Sequence, residues 1–401
     1  MIKTLTIHLT QTQKQKVGTL AKKDKKIYFE YDKEFLKTGL EISPYKLPLK
    51  AGLFECKDDT FDGLWGVFDD SLPDGWGKLL IDRHFIAKGI NPNSLSPLDR
   101  LAYVGGNGMG ALSYEPEISI EDNKLDINLD ELYTSSCDIL QGNSQNLLDE
   151  LLVLGGSSGG ARPKVLVQIS DDKKHIIHNN HTLKDGFSYW LVKFASSTDS
   201  NEIGSIEYAY SLMAKYAGLD MPKTMLINGK KRKYFAIKRF DRHNDEKIHM
   251  HSFAGLVHSD FRYPTLDYDD LLSLTLHLTK DMQEVKKAFR LAVFNLFTHN
   301  RDDHAKNFSF LMDEKGIWSL SPVYDVTFSY GVGAEHSMLY MGEGKNPSIK
   351  HLKELAVKHN IKKSNDIINE VQNAVAKWKI LATDIGITKN IINQIQKELN
   401  L

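Results

Sequence analysis

Residues 282–297, MQEVKKAFRLAVFNLF, are apolar around nearly the whole circumference of a helix. Val285, Phe289, Ala292, Val293, Leu296 and Phe297 fall on one stripe, and Leu291 and Phe294 lie opposite. A helix with no broad polar face has to be buried, so this one is expected at the centre of a domain. Directly behind it runs HNRDDHAKNFSF (299–310), with two aspartates, two histidines, an arginine, a lysine and two asparagines. Charges at a helix end ordinarily face water. These are delivered from the middle of a domain.

The rest of the chain leaves room for a site. Its 401 residues suffice for two or three domains. Average apolar and charged fractions exclude disordered and collagen-like classes. A formal net charge of -1 argues against a nucleic acid held by a large basic field, so any DNA role is expected through a partner protein. Cys56 and Cys137 are too few for a disulfide framework and lack CxxC spacing, which points to a reducing cytoplasm. The amino terminus alternates like a strand and has no signal-peptide pattern. No stretch approaches the roughly 20 apolar residues of a membrane span, so a soluble protein without a membrane partner is expected.

Short strands and turns dominate the first hundred residues. Ile2–Leu9 and residues 26–31 alternate, with Gly18 and Asp24 as breaks. FDDSLPDGWGKLLIDRHF (68–85) reads as a turn at Pro73, Asp74 and Gly75 leading into a helix. YVGGNGMGALSY (103–114) has the glycines of a dinucleotide loop, but a strand pattern follows Gly110 where the Rossmann mechanism requires a helix. Residues 117–150 are polar and acidic, a connector with one short helix.

Beyond them LVLGGSSGGARPKVLVQIS (152–170) is a glycine-rich turn entering a strand. It is no Walker A loop, because Ala161 and Arg162 stand where Lys and Ser/Thr belong. SYWLVKF (188–194) is a strand carrying Lys193. The helix 206–219 follows, with Glu207 in its first turns. Residues 224–242 form a hairpin turning at Asn228 and Gly229, with the basic tip Lys230–Lys233 read as solvated. From about residue 245 the pattern is mostly helical. NFSFLMD and IWSLSPVYDV form two strands joined at 313–316, with Asp325 at the end of the second. His249 and His251 in HMHS carry a weak zinc signal and fit a structural role better.

Asp302 and Asn307 stand as D-x-x-x-x-N. A kinase catalytic loop uses that spacing for an aspartate that accepts the substrate hydroxyl proton and an asparagine that holds magnesium. Magnesium takes further oxygens, and Asp325, 23 residues after Asp302, is placed to return beside Asn307. Lys193 offers the cation for the phosphates, and Glu207 its ion-pair partner. His304 is read as a hydrogen-bonding group near phosphate. Each element alone is weak. Their order (glycine loop, strand lysine, helix glutamate, hairpin, helical lobe, D-x-x-x-x-N, hairpin, aspartate) is that of a kinase-like fold.

These residues resemble the HipA family of bacterial serine/threonine kinase toxins. Besides DDHAKNFSF and SPVYDV, the stretches SLPDGW, GGSSGGARPK, LVKF, KRFDR and HMHSFAGLVHSDFR look like blocks of that family, and the likeness covers nearly the whole chain. The resemblance implies an α+β, bilobal protein-kinase-like fold with a small β-rich amino-terminal subdomain (1–116), a connector (117–150), a β-rich lobe (151–242) and a mainly helical lobe (243–401). It implies Asp302 as catalytic base, Asn307 and Asp325 as Mg2+ ligands, and Glu207 as the structural partner of Lys193. Around ATP it implies Gly159, Gly160, Ala161, Lys164, Lys193, Lys238, Arg239, Phe240, His304, Lys306, Asn307, Tyr324 and Asp325. Lys238–Phe240 would be the adenine hinge.

The family carries an inactivating autophosphorylated serine on its glycine-rich loop. By position relative to GARPK this is Ser157, with Ser158 as runner-up. A phosphate there would repel the phosphates that the loop covers. The resemblance further implies a HipB-like helix-turn-helix antitoxin, DNA contacted only through it, and an aminoacyl-tRNA synthetase as protein substrate. YDV in place of D-F-G, the missing A-P-E and the different glycine loop depart from ordinary protein kinases. Two other readings share the motifs: a small-molecule kinase of the aminoglycoside or lipid type, and a nucleotide-binding pseudokinase acting as corepressor.

Overall fold

Alternation in the strand Thr4–Thr10 puts Leu5, Ile7 and Leu9 on one face, and all three are buried. This strand lies next to the edge of a five-stranded antiparallel sheet ordered Leu53–Glu55, Lys26–Tyr31, Lys14–Lys23, Thr4–Thr10, Leu112–Glu115. Asp24 takes a left-handed φ of 57° in the turn between two of them. Gly18, expected as a break, lies inside Lys14–Lys23. The register slips beside it, and a Cβ there would come within 2.3 Å of the Glu30 carbonyl oxygen and 2.7 Å of the Phe29 ring. It is the glycine of a bulge with close backbone approach. The computed structural model describes residues 2–118, 126–142, 148–156, 159–179 and 182–399.

After the turn at 73–75 comes the expected helix, Gly75–Ala87. The connector holds the helix Leu129–Gln141, capped by Asn128 and ended by left-handed Gly142. A second helix, Leu148–Gly155, runs across residue 150 and packs on the strand Lys164–Ser170, where one short helix was expected in all. That strand is buried at all seven positions in a second antiparallel sheet, ordered Ile176–His178, Lys164–Ser170, Phe187–Lys193, Lys233–Lys238, Thr224–Asn228. The helix Ile203–Tyr216 lies against its Lys233–Lys238 side.

The remainder is helical as expected, apart from the paired short strands Arg242–His243 and Glu246–Lys247 and a three-stranded sheet in which His249–Ser252 joins the expected hairpin of Ser309–Met312 and Trp318–Leu320. HMHS is thus a strand, recruited by pairing with a segment 60 residues later. Met282–Phe297 is a helix over the residues whose pattern demanded it, and eleven of its residues are buried. Truncating one of them, Phe294, to alanine is expected to cost about 3–5 kcal/mol. Asp325 does not end a strand. The second hairpin strand stops at Leu320, and Asp325 follows in irregular backbone at φ 54°, a region that a non-glycine residue occupies rarely and usually where a site requires it.

Two hydrophobic cores result. One joins the amino-terminal sheet to the helical lobe. The other joins the helices Gly75–Ala87, Leu129–Gln141 and Leu148–Gly155 to the second sheet. The amino-terminal segment therefore contributes to both.

Candidate active site

Lys193 closes the strand Phe187–Lys193, where register sets it opposite both Lys164 and Phe235. Its ammonium lies 3.3 Å from Glu207 Oε1 and also donates to the Asp325 carboxylate. Glu207 is 3% exposed and receives a second cation, Arg162, at 3.2 Å. Arg162 in turn grips both oxygens of Asp199 at 3.0 Å, a bidentate pair. Burial is the strongest influence on Lys193 and works against its charge, but Asp325 and Glu207 outweigh it and raise its pKa. Burial likewise opposes the Asp325 charge most, yet Lys193, Lys164 and Arg162 hold its carboxyl far below the usual range. Lys164, fully enclosed, is lowered by burial. Its ammonium donates to the Gly159 carbonyl on the glycine-rich loop.

The cluster behind the central helix separates into distinct tasks. Asp302 is the outward one: its side chain is 60% exposed, and His304 Nε2 stands 4.0 Å away. Partial loss of hydration raises its pKa, with His304 opposing and Asp325 adding to the rise. Asn307 donates through Nδ2 to the Asp302 carbonyl at 2.7 Å, which leaves its amide oxygen as a free acceptor. Asp303 is buried and accepts four hydrogen bonds, from Tyr268 Oη (2.8 Å), His336 Nδ1 (3.0 Å) and the backbone N–H groups of Ser337 (2.8 Å) and Met338 (3.3 Å). It fastens the segment that carries Asp302 to the chain beyond Asp325. Ser329 N–H, donating to the His299 carbonyl at 3.1 Å, fastens the other side.

At the expected hinge, Arg239 N–H donates to the Tyr189 carbonyl and Lys238 N–H to the Lys223 carbonyl, both at 2.9 Å. The Arg239 side chain turns away, to Asp241 and the Gly108 carbonyl. Phe240 stands 5.6 Å from the Tyr324 ring, forming an aromatic wall. Tyr324 Oη donates to the Lys306 carbonyl at 2.6 Å and lies 2.7 Å from Ser309 Oγ. Lys306, expected to frame phosphates, points to Asp69 (3.2 Å) and Asp74 (3.7 Å). Gly160 meets the same turn, its N–H on Asp74 and its carbonyl accepting from Trp76 N–H at 3.0 Å. Ala161 is exposed beside it. Ser157 and Ser158 lie outside the described residues.

The donor set fits ATP with magnesium. Asp325 and the free amide oxygen of Asn307 are hard oxygen donors, and magnesium takes one or two protein carboxylates and completes its shell with water and phosphate. Among the described residues no three or more His, Cys, Asp or Glu side chains are gathered as a metal cage. His249 and His251 are buried and hydrogen-bonded, His249 Nε2 to the Ile42 carbonyl at 2.9 Å, His251 to Asp70 at 2.6 Å and Ser43 at 3.0 Å.

Residues 156–378 match the model of the HipA-like C-terminal domain, more than half of the chain, and residues 9–115 match that of the HipA N-terminal domain. The chain belongs to the HipA family. The solved HipA of Shewanella oneidensis MR-1, from a toxin–antitoxin complex with HipB and its operator DNA, shares its fold. The TM-score is 0.72 at 17% identity, over 98% of this chain and 95% of that one. Among curated relatives, "Putative kinase Y4dM" of Sinorhizobium fredii is 28% identical over 183 residues, 42% of this chain and 44% of that protein. "Putative kinase Y4mE" of the same organism is 26% identical over 264 residues, 60% of this chain and 59% of that protein. The matches thus span about half the length of these relatives. The HipA-family fold accounts for the bilobal α+β architecture expected from the sequence. No helix among the described residues is long and apolar enough to cross a membrane.

Several residues of this HipA-family site escaped sequence reasoning. In the sequence Arg162 reads only as a departure from Walker A, because its partners Asp199 and Glu207 lie 37 and 45 residues away. Asp199, Asp69, Asp74 and Asp303 carried no local pattern that separates them from surface acids.

Proposed function

We propose that the chain is an ATP-dependent serine/threonine protein kinase acting as the toxin of a HipBA-like system. The observation that carries this reading is Lys193 shared between Glu207 and Asp325. It joins both lobes at one buried ammonium, with Asp302 and Asn307 fixed alongside. In a kinase this pairing marks an assembled site.

Bound ATP with magnesium would supply the transferable phosphoryl group and the counter-charge for its oxygens. Lys193 and Lys164 line the phosphate position, Asn307 and Asp325 offer oxygen ligands, and Phe240 and Tyr324 wall the base. Asp302, outward and only partly dehydrated, accepts the proton from the attacking hydroxyl. Its raised pKa strengthens it as a base. Asn307 holds that carboxylate's segment in place through the Asp302 carbonyl.

The partner in this reading is a HipB-like helix-turn-helix antitoxin, with DNA reached through it, and the target is an aminoacyl-tRNA synthetase whose phosphorylation arrests translation. Autophosphorylation of Ser157, or of Ser158, would switch the kinase off. Comparing phosphoproteomes of cells producing the native chain and the Asp302→Asn variant tests the reading. New phosphoserine or phosphothreonine on a protein target, absent with the variant, is expected. Identical phosphoproteomes would overturn it.

A further inference from the structure

Two motifs, the turn FDDSLPDGW (68–76) and the glycine loop of YVGGNGMG (103–110), take no part in the chemistry above, yet both abut it. Leu5 through Phe68 share a core with the helical lobe, whereas Trp76, Leu80, Ile81 and Phe85 share theirs with the kinase sheet. Residues 69–75 therefore cross from one lobe to the other, and they cross beside the glycine-rich loop. There Asp74 accepts from Gly160 N–H through one oxygen, and its other oxygen lies 3.7 Å from Lys306 Nζ. Asp69 holds the same ammonium at 3.2 Å. Gly75 comes so close that a Cβ would stand 2.6 Å from Ala161 Cα, at a φ of 38° that disfavours other residues. The second motif fastens the hinge: Arg242 donates to the Gly108 and Gly110 carbonyls at 2.9 Å, and Gly110 N–H donates to Asp241 at 2.8 Å.

We propose that Asp74 is a positioning residue for ATP binding, its carboxylate joining the glycine-rich loop at Gly160 to the catalytic loop at Lys306. The amino-terminal domain thereby sets how the loop sits over the nucleotide. This rests on the kinase reading. A carboxylate holding a backbone N–H makes a charge-assisted bond, stronger than a neutral one. Lys306 Nζ lies 3.2 Å from Asp69 and 3.7 Å from Asp74, between the two carboxylates of the turn. The latch is a charge-assisted hydrogen bond at Gly160 and an ion pair at Lys306, so Lys306 acts on ATP through the loop.

The test uses the full chain with Mg2+-ATP, its Kd measured by calorimetry and its KM and kcat by phosphate transfer from radiolabelled ATP to myelin basic protein. Asp74→Ala is expected to raise KM and Kd for ATP roughly tenfold with kcat changed about twofold at most, the loss of one charge-assisted bond. Asp74→Asn keeps an acceptor for Gly160 but loses the charge facing Lys306, and is expected to raise them about threefold. It also serves should Asp74→Ala fail to fold. Lys306→Met combined with Asp74→Ala should weaken ATP no further than the larger single effect, because one latch is broken in both. Unchanged Kd and KM in Asp74→Ala and Asp74→Asn, or strictly additive effects, would overturn the proposal. A wild-type chain that neither binds ATP nor transfers phosphate would overturn the kinase reading, and the proposal with it.

Discussion

Lys193 lies 3.3 Å from Glu207, 14 residues later, and donates to Asp325, 132 residues later. One ammonium thus ties a strand, a helix and the segment that follows the D-x-x-x-x-N residues. Because Lys193 and Glu207 are 10% and 3% exposed, water screens their attraction little.

Removing that cation should disable chemistry more than folding. Lys193→Met is expected to lower the transfer rate by about 10²–10³, the usual worth of one preorganised electrostatic group. Glu207→Gln keeps a hydrogen-bond acceptor and should lose about tenfold. Initial rates of γ-phosphate transfer measure both. Wild-type rates in Lys193→Met would remove the pair from the mechanism.

The acid limb of activity should report Asp302. Its pKa is raised, chiefly by lost hydration, and a base must be ionised to work, so kcat/KM should fall tenfold per pH unit below a pKa displaced upward from 3.8. Asp325 titrates far lower and stays ionised across that range, so it adds no second limb there. An acid limb at or below 3.8 would contradict the assignment.

Asp303 should matter to stability. Asp303→Ala deprives Tyr268, His336, Ser337 and Met338 of their buried acceptor, and a loss of about 3 kcal/mol or more in urea unfolding is expected. A change under about 1 kcal/mol would mean that these donors find other partners.

Gly66 tests whether the amino-terminal domain is packed as tightly on the helical lobe as the shared core requires. A Cβ there would lie 2.2 Å from the Gly255 carbonyl oxygen and 2.5 Å from Gly255 Cα, backbone atoms that cannot swing aside. Gly66→Ala should therefore destabilise the chain by about 1–3 kcal/mol in thermal or urea unfolding. Wild-type stability would mean that the two backbones separate freely.

What the sequence disclosed was local. The all-round apolar helix, the D-x-x-x-x-N spacing and the hairpin glycines are each decided within a few residues, and they place Asp302, Asn307 and Lys193. Gly18 read as a break because a bulge and a turn use the same residue, and only the partner strand tells them apart. HMHS read as part of a helical region because its strand pairs with Ser309–Met312, far along the chain. Asp303 looked idle because its acceptor role depends on donors 33–35 residues away, and Asp69 and Asp74 because Lys306 is more than 230 residues off. Long-range pairing leaves no local pattern for a carboxylate to betray.

Single-turnover phosphate transfer by Asp302→Asn reports whether Asp302 takes the hydroxyl proton. The variant should bind Mg2+-ATP within about threefold of wild type, since Lys193, Asn307 and Asp325 are untouched, while phosphate transfer falls by about 10²–10⁴, the range for a lost general base. Transfer at the wild-type rate, with ATP bound normally, would mean that Asp302 does not take the proton.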